Sequence, residues 1–272
     1  MKIGSQAFRS SAISCSNEQT IVVRGFDLCA ELMGKATFTD LAWLLVAGSL
    51  PNDSQRRMLD ATLVAIAEHG LVPSVQASRM TLAAAPEALQ GAVAAGILGC
   101  GSVILGAAET AGHLLHDVVE RSSTAALRDA SIQVVQEHRS ARRPVPGFGH
   151  PLHKDFDPRA KKLIEIAEEC GTRGSHVDAV LEVQGVIPQI IGKPLALNVS
   201  GAIAAVLLDA GYPLLALKGV PILARTASLV GHLLEEQHRP VGFVLSHAGA
   251  QAIDYDGAVP PGYSATTSRS EP

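Results

Sequence analysis

At 272 residues, with 47% hydrophobic and only 4% aromatic side chains, the chain is long enough to bury a sizeable core in one large domain or two moderate ones. A formal charge of −4 and a pI near 6.2, with no lysine- or arginine-rich run, leave no electrostatic footprint for nucleic acid, so small-molecule chemistry is expected instead. Cys15, Cys29, Cys100 and Cys170 are widely spaced without a CxxC pair, which argues against a zinc site or a disulfide framework; no metal is expected, and the thiols read as reduced.

Alanine and leucine dominate the apolar share, a mixture that packs helices closely, and the predicted fold class is all-α. Met1-Lys2-Ile3-Gly4-Ser5 carries no apolar signal core, so a cytoplasmic protein is expected. A β-branched run from Thr20 to Val23 predicts a strand or extended arm, followed through Arg24-Gly25 by a helix-like stretch with Leu28, Leu32 and Met33. Helical spacing returns at Leu41, Leu44 and Leu45 and stops at Gly48-Ser49-Leu50-Pro51, with Asp53 as the next N-cap. Ser54 to Glu68 predicts a helix with Leu59, Leu63 and Ile66 on one face and Glu68-His69-Gly70 at its end.

Residues 86–120 read as one or two alanine-rich helices broken near Gly99-Cys100-Gly101, and 122–145 as another running into a glycine-rich loop. Helices near 158–171 and 175–190 precede Gly192-Lys193-Pro194, and Asn198-Val199-Ser200-Gly201 opens a strongly apolar helix to Ala210. The last predicted helix, about Pro221 to Gln237, turns Leu223, Leu229, Val230, Leu233 and Leu234 to the core and leaves Glu235 and Glu236 solvated. The weakly charged stretch 195–217 is broken by Asn198, Ser200, Asp209, Gly211 and Pro213, which suits a buried helix and its turn; no membrane association is expected. The tail 261–272 is rich in Ser and Thr and predicted to be disordered.

The chemistry concentrates between Val145 and Ala160. Gly147 and Gly149 let the backbone approach a ligand, Pro146 stiffens the segment, His150 is a candidate proton carrier, and Arg159 offers a planar fork for a carboxylate. Taken alone, these letters also fit a surface turn whose histidine caps a neighbouring element. Gly147-Phe148-Gly149-His150 followed by Asp157-Pro158-Arg159 resembles the citrate synthase superfamily, which includes citrate synthases and the citryl-CoA lyase module of ATP citrate lyase. The resemblance extends to Arg24-Gly25-Phe26, to the helix closed by Gly48-Ser49-Leu50-Pro51, and to Ala224-Arg225-Thr226-Ala227 with Arg239-Pro240.

That resemblance implies a citrate synthase-like helical fold with a large domain (1–72 plus 201–272) and a small one (73–200), assembled at least as a homodimer. It implies no permanent cofactor, a coenzyme A thioester and a di- or tricarboxylate as substrates, and cleavage of citryl-CoA to acetyl-CoA and oxaloacetate. Citrate synthase-type condensation and a non-catalytic dicarboxylate- and CoA-binding protein stand as alternatives. His150 would act at the reacting carbonyl or hydroxyl oxygen, Val145 to Gly149 would pack on CoA with Arg142 or Arg143 near a phosphate, and Arg159 and Arg225 would bind carboxylates. Arg239 would reach the partner subunit's site, and His69 would bond the oxaloacetate portion. His69 also fits a histidine placed favourably at the negative end of a helix dipole. His153 inherits no role.

Two positions depart from the family pattern. Gly101-Ser102-Val103-Ile104-Leu105-Gly106 puts Ile104 where citrate synthases carry the histidine that stabilises the acetyl-CoA enol, as the lyase module also lacks it. Leu197-Asn198-Val199-Ser200-Gly201 puts Ser200 where the lyase module carries the aspartate that exchanges a proton with the acetyl carbon. Serine is a poor base near neutral pH without an activating neighbour.

Overall fold

A computed structural model describes residues 10–101, 104–149 and 156–263; His150, His153 and the tail from 264 onward lie outside the described residues. The helical expectation holds. The β-branched run forms the middle strand of a small antiparallel sheet, β1 (Ser14–Ser16), β2 (Ile21–Val23) and β3 (Phe26–Asp27). The stretch after it is only one π-helical turn, Leu28–Leu32, capped by the Asp27 carboxylate.

Helix α1 (Phe38–Ala47) starts at a capping box of Thr37 and Asp40 and stops at Gly48. Helix α2 (Asp53–Ala67) is capped by Asn52, one residue before the predicted Asp53, because Asn52 and Gln55 complete a reciprocal box. Helix α3 (Pro73–Ala84), unseen in the sequence, starts with proline at its first position. Then follow α4 (Leu89–Leu98), α5 (Ala107–Arg121), α6 (Leu127–Ser140), α7 (Pro158–Glu169), α8 (Ser175–Ile191), α9 (Val199–Asp209), α10 (Gly219–His238) and α11 (Gly242–Ala252).

Helix α9 is the centre of the main core. Ala202 to Leu207 are all buried, and α5, α7 and α8 pack around it. A helix apolar on every side has no other stable place. A second group joins α3 and α4 to α10 and α11, and α2 contacts α7, α9 and α10, bridging the two.

Helix α10 corrects the predicted stripe. Arg225, Leu229, Leu233 and Glu236 are buried, whereas Val230 and Leu234 are exposed. The helix is rotated from the hydrophobic optimum because Glu236 is drawn inward: it accepts from Arg79 Nε (2.6 Å) on α3 and from the amides of Val241 and Gly242 at the start of α11. Burial alone would raise the Glu236 pKa, but these donors hold it below the usual range. By length and hydropathy Leu214–His238 would suffice to cross a membrane, yet here α2, α3 and α4 pack against α10.

Candidate active site

The glycine-rich loop and the start of α9 close on each other. The Gly149 amide donates to the Ala196 carbonyl (2.7 Å), the Asn198 amide donates to the Gly147 carbonyl (3.0 Å), and Phe148 pairs with Leu197 in an antiparallel bridge. Asn198 caps α9, accepting from the Ser200 and Gly201 amides at 3.0 and 3.1 Å, while its Nδ2 donates to the Gly149 carbonyl at 3.0 Å. Backbone meets backbone here. A Cβ on Gly147, where φ is +87°, would sit 2.9 Å from Gly201 Cα, and one on Gly201 would sit 2.7 Å from the Gly147 oxygen. Glycine is required on both sides for this approach.

Asp157 ties in a third element. Its carboxylate caps α7, accepting the Arg159 amide and Nε at 3.0 Å and Nη2 at 2.9 Å, and it accepts the Val199 amide at 3.0 Å. Full burial would raise its pKa, but the Arg159 guanidinium and the two amides outweigh that and hold it below the carboxylate range. The first turns of α7 and α9 thus meet at one carboxylate. The positive ends of both helix dipoles therefore face this joint.

Arg159 is therefore partly engaged: Nε and Nη2 serve Asp157. The same side chain lines a groove of about 430 Å³ with Arg57, Asp60, Val64 and Lys162, between α2 and α7. Ser200 is half-buried in the first turn of α9, and Ile104 is exposed. Val145, Gly147 and Phe148 are buried, and Pro146 borders a cleft of about 700 Å³ between α5 and α6, with Thr110, His113, His138, Arg143 and Pro144.

The other predicted residues lie along α10. Arg225 is 5% exposed, and among the described residues its Nε and Nη1 have no hydrogen-bond partner. His69 is exposed in the turn after α2, which Glu68 fastens to α10. Arg239 caps the far end of α10 with its side chain 81% exposed. Fourteen residues of helix put it about 21 Å along the axis from Arg225. The structure thus places the loop, Ser200 and Arg159 together and His69 beside α10, and leaves Arg239 apart. Sequence reasoning missed Asp157 as the joint between α7 and α9, although an Asp before a proline at the first helical position is a legible cap. Among the described residues no group of three or more His, Cys, Asp or Glu is placed to hold a metal ion.

A helical fold built around a glycine loop clamped to a buried helix start, with a long helix that carries a buried arginine, defines a class that comparison identifies. Residues 52–241 match the family described as citrate synthase, C-terminal domain, and the chain belongs to that family. A citryl-CoA lyase from Hydrogenobacter thermophilus superposes with a TM-score of 0.83 at 33% identity, covering 92% of this chain and 95% of that one. An ATP citrate lyase from Methanothrix soehngenii, solved with citrate and coenzyme A, superposes at 0.76 with 21% identity, over 93% of this chain and 42% of its own, a likeness of fold. A citrate synthase from Heyndrickxia coagulans is 24% identical over 195 residues; the chain matches 50% of its length.

Proposed function

We propose that this protein is a citryl-CoA lyase-like enzyme that cleaves citryl-CoA, or a related 3-hydroxyacyl-CoA, into acetyl-CoA and oxaloacetate. The observation that carries the reading is the Arg225 guanidinium, buried with two nitrogens unpaired. A buried unpaired charge is costly to keep, and a substrate carboxylate is the partner that removes the cost. Arg159, at the converging ends of α7 and α9, supplies a second cationic position, and His69 stands in the turn next to α10.

In the forward step His150 accepts the proton of the tertiary hydroxyl as the carbon–carbon bond breaks; the electron pair passes to the thioester enolate, whose carbon then takes up a proton. The positive ends of the α7 and α9 dipoles favour the developing negative charge. The family aspartate that would return that proton is Ser200 here, so water or a neighbouring acid must supply it. CoA fits the cleft at Pro144 and Pro146, its phosphates toward Arg143. Arg239, too far along α10 to serve the site of its own Arg225, completes the site of a second subunit, making the working unit a homodimer in the cytoplasm. Ile104, in place of a histidine, disfavours citrate synthase-type condensation.

Ser200 favours one further reading, a dicarboxylate- and CoA-binding protein without turnover. The deciding experiment is release of acetyl-CoA and oxaloacetate from citryl-CoA by the wild type, His150→Ala and Ser200→Asp. Release that His150→Ala abolishes supports the lyase. No release by the wild type, with activity appearing in Ser200→Asp, supports the binding protein.

A further inference from the structure

Helix α10 is mostly apolar, yet it sets Arg225, Ser228 and His232 at i, i+3 and i+7 on one face, a single polar stripe. Two of the three have the same partner. Glu68 Oε2 accepts from Ser228 Oγ and from His232 Nε2 (3.0 Å), and Oε1 accepts from the His69 amide (2.9 Å) and the Gly70 amide. One carboxylate, which has about four acceptor positions, is thereby saturated.

Glu68 stands against local preference. It is the C-cap of α2, where the helix dipole disfavours a negative charge, and the chain around it is extended before Gly70 turns. Burial also works against its ionised form, but the Ser228, Gly70 and His232 contacts prevail and hold its pKa below the usual range. A residue that breaks a local rule and is compensated from a distant helix marks a place where geometry is being fixed for use. What it fixes is the His69 turn, against the helix face that carries Arg225 one turn earlier.

Building on the dicarboxylate reading above, we propose that Glu68 is a positioning residue, locking His69 in register with Arg225 so that the two recognise one dicarboxylate together. Ser228 and His232 are the anchor points on α10. This assigns no contact with substrate to Glu68 itself; it acts through His69.

The test is calorimetric binding of oxaloacetate and of CoA, separately, to wild type, Glu68→Ala, His69→Ala and the double variant, with Ser228→Ala as a milder loosening should Glu68→Ala fail to fold. Glu68→Ala is expected to weaken oxaloacetate up to about a hundredfold, as a small misplacement does, while CoA binding is unchanged. The double variant is expected to be no weaker than His69→Ala alone. Losses that add in the double variant, or that extend equally to CoA, overturn the positioning role and leave the dicarboxylate reading standing. Failure of the wild type itself to bind oxaloacetate overturns both.

Discussion

The two halves of the candidate site are built on opposite principles. Where the loop meets α7 and α9, the Asn198 and Asp157 side chains are satisfied within the chain: Asn198 spans both segments, and Asp157 accepts from Arg159 and Val199. Along α10, Arg225 is buried with two nitrogens that find no partner among the described residues. The first region is a finished joint whose value is precision; the second is an unfinished one, whose missing partner must come from outside. A buried orphan is thus more informative about ligand chemistry than the more densely bonded region.

The sharpest way to break the contrast is Arg225→Met. Losing a carboxylate clamp is expected to lower citryl-CoA turnover by about 100- to 1,000-fold. The same change removes an uncompensated buried charge, so thermal melting of the ligand-free protein is expected to rise. A fall in both would make Arg225 structural.

Next in size, Asp157→Asn is expected to cost about 1.5–3 kcal/mol of stability in denaturant melts, the value of hydrogen bonds to a charged group. The pH sign follows from its lowered native pKa. The stability it contributes is present in full above the unfolded carboxylate range near pH 4 and is lost as pH falls through the native value. The wild type is therefore expected to lose stability more steeply below pH 4 than the asparagine variant, and parallel curves would refute this assignment.

Gly147→Ala is expected to cost about 1–3 kcal/mol, because the added carbon meets the Gly201 backbone at 2.9 Å. An alanine variant as stable as the wild type would mean the loop is not held against α9. The smallest stability effect is expected at Arg239: replacing this exposed side chain by alanine should stay within about 0.5 kcal/mol. Turnover tests its proposed reach, since mixing inactive Arg239→Ala and Arg225→Met subunits should restore activity that neither has alone; no recovery would place Arg239 outside the partner's site.

Much of this contrast was legible in the letters, for physical reasons. Glycines at 147 and 149, the cap at Asn198 and the Asp157-Pro158-Arg159 start of α7 are local signals, and local signals survive into the fold. What the sequence hid was tertiary. Pairing of Arg79 with Glu236 turned α10 so that a charged residue went in and Val230 and Leu234 stayed out. Helix α3 has a weak periodicity, and α11 buries only Gly242, so neither offers a pattern to read. The engagement of Arg159 by Asp157, two residues away, needed the side-chain geometry.

The most direct test is ligand-induced thermal stabilisation by oxaloacetate and citrate, compared in the wild type and Arg225→Met. Ligand at 100 times its Kd adds about 2.7 kcal/mol. The account predicts a clear rise in the wild-type melting temperature and none in Arg225→Met; an equal rise in both proteins, or in neither, would contradict it.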